Sequence, residues 1–296
     1  MLNASSVLRQ GLLQMSKSGR VRGLVEKAPM SRDVVKRFVA GDSTGDAVSA
    51  ARALDLTGRR CTIDHLGEDT HDLPQAQNTR DAYLTLLSAL GEAGLTQGGK
   101  AEVSLKLSAL GQALPGDGAK IALEHAREIC QGAANAGTTV TLDMEDHTTT
   151  DDTLEALRDL RQDFPSVGAV LQTYLHRSEA DCRDLAHEGS RVRLCKGAYD
   201  EPESVAFKDK SEVDRSYVRC LKVLMEGKGY PMVATHDPRL IEIAGALAHK
   251  QDRAADTFEY QMLYGIRPEE QKRIADRGDQ MRVYIPYGPG WYGYLV

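Results

Sequence analysis

TVTLDME (residues 139–145), GAVLQTY (168–174) and RVRLCK (191–196) are three short runs with strand-like composition and polar residues at their C-terminal ends. Helix-like patterns separate the three runs, and strands that alternate with helices are typical of parallel βαβ units. The same alternation continues outward from this centre in both directions, beginning at Arg60. The fold therefore depends on a parallel sheet with a helix after each strand.

Five further strands complete the pattern. They are CTIDHL (61–66), EVSLKL (102–107), PMVAT (231–235), TFEYQML (257–263) and MRVYIP (281–286). Eight parallel strands within about 230 residues fit either an open doubly wound sheet or a closed barrel. No GxGxxG motif follows any of the strands, whereas an open dinucleotide-binding sheet usually has one. The sequence therefore predicts an α/β protein built as a (β/α)8, TIM-like barrel.

Residues 1–59 precede the first strand and contain helical rather than strand patterns. Ser31 is placed to cap a helix that ends at Gly41, and a second helix is expected from Asp46 to Leu56. The first 25 residues weakly resemble an organellar transit peptide, although an amphipathic helix is the favoured interpretation. We expect residues 1–59 to form a helical segment that packs on a catalytic barrel of residues 60–296.

Charge and cysteine content exclude several classes of protein. The formal net charge is −6 and the pI is about 5.8, so the chain lacks the positive field that gathers nucleic acid. Its 5 cysteines are scattered without a CxxC pair, which indicates a reducing, cytoplasmic location and no metal site. No run approaches the ~18 apolar residues of a membrane span, so any membrane contact is expected to be peripheral.

Two glycine-containing motifs imitate known sites without the structural context that those sites need. Residues 41–45 read GDSTG, but a GxSxG nucleophile elbow follows a strand, and here helices are predicted on both sides. Residues 94–100 nearly spell a phosphate loop, but Ala101 replaces the required serine or threonine and the order is helix then strand. We interpret the second motif as a glycine-rich turn and assign no nucleophile to the first.

Polar residues lie at the C-terminal end of nearly every predicted strand. They are Asp64, Lys106, Asp143, Glu145, Gln172, Arg193, Lys196, Thr235, His236, Gln261 and Tyr284. In a barrel these ends converge on one mouth, where barrel enzymes place their chemistry. Any one of them could simply satisfy a buried neighbour. Their recurrence at the same end of the strands favours a functional site.

Several chemistries are open to these residues. Lys106 suits either a Schiff-base nucleophile or a fixed positive charge for an anionic substrate. Arg193 cannot lose its proton, and such a permanent cation suits a reduced, anionic flavin ring. Lys196-Gly197-Ala198 and Thr235-His236 offer donors and open backbone for a pyrophosphate or the edge of a heterocycle. The alternatives are a barrel lyase or aldolase that uses one of the two lysines, and a non-catalytic barrel that binds a small anion.

Longer motifs resemble the proline dehydrogenase family. They are VSLKL (103–107), LDME (142–145), LQTY (171–174), VRLCKGAY (192–199), ATHD (234–237), EYQMLYG (259–265) and YIPYG (284–288). Their order and spacing match across about residues 30–296, and VRLCKGAY followed by YQMLYG is highly specific. The resemblance implies a barrel that oxidises L-proline to 1-pyrroline-5-carboxylate and passes electrons to a quinone, as the first step of proline catabolism to glutamate.

The resemblance also implies roles for individual residues. FAD is expected to lie non-covalently across the barrel mouth, beside Met144, Gln172, Arg193, Lys196, Gly197, Ala198, Lys210, Thr235 and His236. Asp143 and Arg193 are expected at the catalytic centre, next to the reactive ring nitrogen of the flavin. Lys106 is expected to pair with the proline carboxylate. The proline pocket is expected to be shaped by Leu263, Tyr284 and Tyr294.

The sequence departs from the family pattern at its end. In the family, helix eight of the barrel is the helix that follows the last strand, and its Tyr-Leu-Val runs into two adjacent arginines that clamp the substrate carboxylate in bidentate fashion. Here Tyr294-Leu295-Val296 is the last part of the match. We therefore expect helix eight to be cut short, with activity impaired because proline binding is weakened more than FAD binding.

Overall fold

A computed structural model gives the structure of residues 35–67, 70–291 and 294, and the structural statements below refer to these residues. Eight strands form one sheet. They are β1 (Arg60–His65), β2 (Ala101–Leu105), β3 (Val140–Leu142), β4 (Ala169–Gln172), β5 (Arg191–Cys195), β6 (Tyr230–Ala234), β7 (Glu259–Leu263) and β8 (Met281–Tyr287). All eight strands expected from the sequence are present, each shifted by no more than a few residues at its ends.

Helices alternate with the strands around the outside of the sheet. The first helix, α1 (Thr44–Asp55), precedes β1. The helices that follow β1 to β7 in turn are α2 (Leu73–Glu92), α3 (Gly118–Asn135), α4 (Thr150–Asp163), α5 (Ser178–Leu185), α6 (Lys210–Glu226), α7 (Pro238–Lys250) and α8 (Pro268–Asp276). None of the described helices combines the length and the apolar character needed to cross a membrane.

The strand order closes the sheet into a barrel. The order is β3-β2-β1-β8-β7-β6-β5-β4, and each hydrogen-bonded pair in it is parallel. The two end strands meet through a bridge from Thr141 to Gly168, in which Gly168 donates to the Val140 carbonyl over 2.8 Å. A Cβ on Gly168 would lie 2.6 Å from Thr141 Oγ1, so the strands approach this closely only because residue 168 has no side chain. The prediction of a (β/α)8 barrel is confirmed.

The N-terminal expectations are tested only in part. Residues 35–38 are helical, while residues 1–34 lie outside the described part of the chain. The helix expected from Asp46 to Leu56 is α1, and Ser43 caps it by accepting from the Asp46 amide in a capping box. Because Ser43 serves as a helix cap rather than standing on a strand-to-helix turn, the structure supports leaving GDSTG without a nucleophile. The division into segments 1–59 and 60–296 stays a prediction.

A layer of four charged side chains, three of them buried and Arg191 largely so, lies inside the barrel near the N-terminal ends of the strands, and we call it the charged floor. Its members are Glu102, Arg191, Glu259 and Arg282. Arg191 donates to Glu102 over 2.6 Å, and Arg282 binds Glu259 through two donors at 2.7 and 3.1 Å. Two carboxylates and two guanidinium groups balance, which is the condition under which buried charges are tolerated. The charged floor supports the side chains above it.

Candidate active site at the barrel mouth

Asp143 is the centre of the polar cluster above the charged floor. It follows β3 directly, and its Oδ1 forms an ion pair with Arg193 of β5. The hydroxyl of Tyr284, on β8, donates to the other carboxylate oxygen over 2.7 Å. Asp143 and Arg193 are only 8% and 5% exposed, so the pair is almost shielded from water. The barrel thus brings together three residues that are far apart in the sequence.

Each polar nitrogen of Arg193 has a partner. Nε donates to the side-chain oxygen of Gln261 over 2.6 Å, and one terminal nitrogen donates to Ser104 Oγ over 2.9 Å. The other terminal nitrogen binds Asp143. The carbon at the centre of the guanidinium group lies 5.3 Å from the centroid of the Tyr284 ring, within the range of a cation–π contact. Arg193 is therefore a rigidly held cation in the barrel interior.

Lys106 lies beside this cluster in a second ion pair. Its Nζ donates to Asp64 Oδ2 over 2.8 Å, and both side chains are largely buried. The Tyr83 hydroxyl shares its one proton between the other oxygen of Asp64, at 3.0 Å, and the Ser104 carbonyl, at 2.7 Å. Tyr83 comes from α2, so a helix outside the barrel reaches between two strands to hold Asp64 in place. Among the described residues, this part of the mouth therefore holds two ion pairs, Lys106 with Asp64 and Arg193 with Asp143.

Burial and neighbouring charges shift the titration of the cluster. Burial raises the pKa of Asp143, while the charges of Arg193 and Lys106 oppose this effect. The pKa of Tyr284 is raised well above its ordinary value, first by burial and then by the charges of Asp143 and Asp64. The phenol is consequently protonated across the physiological range and serves as a hydrogen-bond donor. Perturbed titration of this kind in a cleft is typical of functional sites.

The loops after β3 and β4 meet through Gln172. Its amide nitrogen donates to the backbone carbonyl of Glu145 over 2.7 Å, which leaves the side-chain oxygen available as an acceptor. Met144 lies between Asp143 and Glu145 and is 7% exposed. Gln172 therefore bonds to the residue that follows Met144, and the expected contacts of both side chains with FAD stay predictions.

Lys196 belongs to a separate group of charges near the ends of β5 and β6. Its Nζ donates to Asp214 over 2.6 Å and to Asp237 over 3.3 Å, and Arg239 binds the same two carboxylates. The hydrogen bond from Lys196 holds the pKa of Asp214 below its ordinary value. The pKa of Asp237 is also lowered, chiefly by its hydrogen bond from Arg239. The carboxylates stay ionised at neutral pH.

Gly197 lies in a tight turn against the ring of Tyr174. Its φ is +106°, and a Cβ would come within 2.4 Å of the ring, so only glycine fits this position. The backbone amide of Tyr174 donates to the Lys196 carbonyl over 2.9 Å, which joins the loops after β4 and β5. The turn thus offers backbone without bulk next to Lys196.

His236 has its tautomer set by the backbone. The amide of Leu263 donates to His236 Nε2 over 3.0 Å, so that nitrogen accepts and Nδ1 carries the proton of the neutral ring. Burial lowers the pKa of His236, and the charge of Arg267 lowers it further. The neighbouring Thr235 accepts at Oγ1 from the Asp237 amide over 3.1 Å. His236 is therefore a neutral donor at pH 7, and it is linked directly to Leu263.

The structure adds residues that the sequence patterns did not single out. Ser104 connects Asp143 to Arg193, and Tyr83 connects Asp64 to the backbone of β2. Ser104 precedes Lys106 by two positions on β2, so side-chain alternation could have placed both toward the barrel interior. Tyr83 carried no such signal, because its position on α2 resembles an ordinary apolar core position. Lys210 begins α6 and Tyr294 is helical, and their expected contacts with FAD and proline stay predictions.

Comparison with known proteins gives a consistent result. The family model for proline dehydrogenase matches residues 47–294. The chain is 38% identical to proline dehydrogenase from Deinococcus radiodurans over 289 residues, which cover 97% of this chain and 91% of that protein. It is also 38% identical to proline dehydrogenase 1 from Bacillus subtilis strain 168 over 270 residues, which cover 91% of this chain and 87% of that protein.

A solved structure agrees with the fold. Proline utilization A from Bdellovibrio bacteriovorus, inactivated by N-propargylglycine, superimposes with a TM-score of 0.82 at 27% identity. The match covers 94% of this chain and 33% of that one, so the chain spans about a third of that larger protein. The barrel order, the mouth cluster and the match over most of the sequence lead to one assignment: the chain belongs to the proline dehydrogenase family.

Proposed function

We propose that the chain is an FAD-dependent proline dehydrogenase that oxidises L-proline to 1-pyrroline-5-carboxylate and transfers the electrons to a quinone. The observation that carries the proposal is the buried cluster in which Asp143 binds both Arg193 and Tyr284, with the Lys106–Asp64 pair beside it. Relatives named proline dehydrogenase, aligned over most of their length, support the same substrate.

The donor set fits a flavin. Arg193 is a buried cation that suits negative charge on a reduced ring, and His236 and the oxygen of Gln172 supply a donor and an acceptor. Gly197 opens the backbone next to Lys196, where a phosphate can approach. FAD would therefore be held by these residues together with Met144, Ala198, Lys210 and Thr235. When bound, it would supply the two-electron acceptor.

The product defines where the substrate must react. In 1-pyrroline-5-carboxylate the new double bond joins the nitrogen to the ring methylene, so the hydride leaves that methylene and not the carbon that bears the carboxylate. The nitrogen lone pair forms the double bond, which requires the amine to be unprotonated before transfer, and the N–H proton of the resulting iminium is then released to water to give the imine. The chain contributes orientation and electrostatics to this step, because the redox chemistry belongs to the cofactor.

Side chains at the mouth have separable tasks in this scheme. Lys106 Nζ, which is held by Asp64, would pair with the carboxylate of proline. The ring methylene would then lie on the side of the substrate away from Lys106. Tyr284, Leu263 and Tyr294 would bound the proline ring, and the phenol of Tyr284 would at the same time fix the carboxylate of Asp143. Asp143 would in turn hold Arg193 beside the reactive part of the flavin. Exclusion of water follows from the burial of this cluster.

The electron acceptor and its location belong to the same proposal. A quinone dissolves in the lipid bilayer, so a cytoplasmic enzyme that reduces it must contact the membrane surface from the side. We propose peripheral contact of this kind. Reconstitution of quinone reduction with and without lipid vesicles tests it, and equal rates in both cases would contradict it.

One experiment separates this function from the two alternatives. The purified chain should show the visible absorption of a bound flavin, and anaerobic addition of L-proline should bleach it. A lyase or aldolase would be colourless and would be trapped on Lys106 or Lys196 by borohydride. Both lysines lie in ion pairs with aspartates, which argues against the neutral amine that a Schiff base needs. A non-catalytic barrel would bind its anion without any bleaching.

A further inference from the structure

One buried carboxylate joins three loops of the barrel mouth. Glu201, in the loop after β5, is 3% exposed. Its Oε1 accepts from the backbone amide of His147, in the loop after β3, over 2.8 Å, and its Oε2 contacts Nδ1 of the same histidine. Oε1 also accepts from the Tyr174 hydroxyl, in the loop after β4, over 3.2 Å. We call Glu201, His147 and Tyr174 the loop clamp.

The loop clamp lies across the seam between β3 and β4, which has fewer paired residues than the other strand contacts of the barrel. Strands β3 and β4 are joined by a bridge at Thr141 and Gly168, whereas the other neighbours are paired over three or more residues. At the mouth end of the same seam, Glu201 ties the loop that follows β3 to the loops that follow β4 and β5. Glu201 therefore links the loops on the two sides of this seam at the barrel mouth, whereas the strands β3 and β4 themselves are joined only at the Thr141–Gly168 bridge.

The clamped loops carry residues proposed to hold the flavin. His147 is four positions after Asp143 and three after Met144, so its backbone bond to Glu201 limits the movement of that loop. Tyr174 packs its ring against Gly197, and Glu201 holds the hydroxyl of that ring. Displacement of Glu201 would consequently release both the Met144 segment and the Gly197 turn. Glu201 would thus control both loops through His147 and Tyr174.

We propose that Glu201 is a positioning residue, which retains FAD by holding the loops after β3, β4 and β5 in their binding arrangement through His147 and Tyr174. This inference rests on the proposed function, because it assumes that these loops bind the flavin. It assigns no chemistry to Glu201 itself. Hydrogen bonds from an amide, an imidazole and a phenol to one shielded carboxylate are the physical basis.

The test compares FAD affinity in matched variants. Glu201→Ala should raise the FAD dissociation constant about ten- to hundredfold, the change that corresponds to losing a charge-assisted buried hydrogen bond. Glu201→Gln keeps an oxygen that can accept from His147 and Tyr174, so it should recover most of the affinity. His147→Ala removes only the half-buried side chain, so it should weaken FAD binding less than Glu201→Ala and should fold reliably.

Asp181→Ala serves as the control. Asp181 is also a buried carboxylate in an ion pair, with Arg177, but it lies on α5 outside the loop clamp. It should lower the thermal stability while leaving the FAD dissociation constant within about threefold of wild type. Equal weakening by Asp181→Ala and Glu201→Ala would overturn the proposal, because it would show that general destabilisation releases the flavin.

A second measurement separates failure of this inference from failure of the proposed function. If the wild-type chain takes up no FAD, the proposed function is wrong and the inference is overturned with it. If the wild-type chain retains FAD and Glu201→Ala retains it equally well, only the inference is wrong. Hydrogen exchange gives an independent readout on the purified protein: the amide of His147 should be protected in wild type and Glu201→Gln, and should exchange at least about tenfold faster in Glu201→Ala.

Discussion

Gln261 links Arg193 at the mouth to the charged floor below it. Its side-chain oxygen accepts from Arg193 Nε over 2.6 Å, and its amide nitrogen donates to Glu259 Oε1 over 2.6 Å. The ionised Glu259 can only accept, so this second bond decides which way the Gln261 amide faces. Although burial raises the pKa of Glu259, the charge and hydrogen bonds of Arg282 lower it to about 2. The orientation of Arg193 therefore depends on an ion pair outside the mouth.

Gln261→Leu should lower kcat/KM for proline about ten- to hundredfold. Leucine nearly matches glutamine in volume but leaves Arg193 Nε without its acceptor, and a lost hydrogen bond to a buried charge corresponds to this factor. Steady-state kinetics of the FAD-saturated enzyme measure the effect. Gln131→Leu is the control, because Gln131 is exposed on α3 and donates to Asn135 of the same helix, away from the mouth. A loss of similar size in both variants would contradict the role given to Gln261.

Tyr284→Phe should move the acid limb of the kcat/KM profile to higher pH. The Tyr284 hydroxyl donates to Asp143 and favours its ionised form, so removing it should raise the pKa of a carboxyl that burial already raises. We expect kcat/KM to fall about tenfold at pH 6 and less at pH 9. Tyr217→Phe removes a buried hydroxyl that donates to the Leu194 carbonyl, and it should leave the limb in place. An unshifted limb in Tyr284→Phe would argue against this coupling.

The bulk of Tyr284 should favour proline over 4-hydroxyproline. Its phenol is fixed by Asp143 and its ring lies beside Arg193, so it cannot swing aside to admit a ring hydroxyl. Wild-type enzyme should therefore oxidise L-proline with the higher kcat/KM, and Tyr284→Ser should narrow the ratio about tenfold. Competition between the two substrates measures the ratio directly. Equal turnover of both by the wild-type protein would show that Tyr284 does not limit the pocket.

The strands could be predicted because each depends on local composition and on the residues at its ends. Eight such runs and the absence of a GxGxxG motif led to the barrel, and barrel geometry then placed Asp143, Arg193 and Tyr284 at one mouth. The pairings themselves could not be predicted, because they depend on strand register and on which neighbour meets across the interior. The ion pair of Asp143 with Arg193, for example, depends on how β3 and β5 are aligned across the barrel interior, and no local sequence pattern encodes that alignment.

Residues outside the strand ends escaped prediction for a different reason. Tyr83 looks like a core residue of α2, and its hydroxyl gains a role only because the helix packs over Asp64. Glu201 stands in a loop of mixed polarity, and its burial depends on His147 and Tyr174 reaching it from two other loops. Sequence patterns report which face of an element is apolar, but a polar group buried by three distant segments leaves no periodic signal.

His236 should make the stability of the protein sensitive to mild acid. Its pKa is lowered from 6.5 by burial and by Arg267, so the folded state prefers the neutral ring. A group with a lowered pKa in the folded state contributes stability that is complete above pH 6.5 and is lost as the pH falls through the folded value. Urea unfolding at pH 7 and pH 5 should show a larger decrease for wild type than for His236→Asn. Parallel decreases would assign the acid sensitivity to other groups.

The seam at Gly168 should tolerate no side chain. A Cβ there would meet Thr141 Oγ1 at 2.6 Å and Met232 Cε at 3.3 Å, so Gly168→Ala must push β4 away from β3 or displace Thr141. Overpacking of this kind costs roughly 1–3 kcal/mol of unfolding free energy, measurable by urea denaturation. Thr141→Ala removes the clashing oxygen but also its hydrogen bond to Glu102, so alone it should destabilise by about 1 kcal/mol. Because the two substitutions share one contact, the double variant should be more stable than the sum of the single effects predicts. Strict additivity would mean that β4 moves as a whole and that the clash with Thr141 is not what keeps residue 168 a glycine.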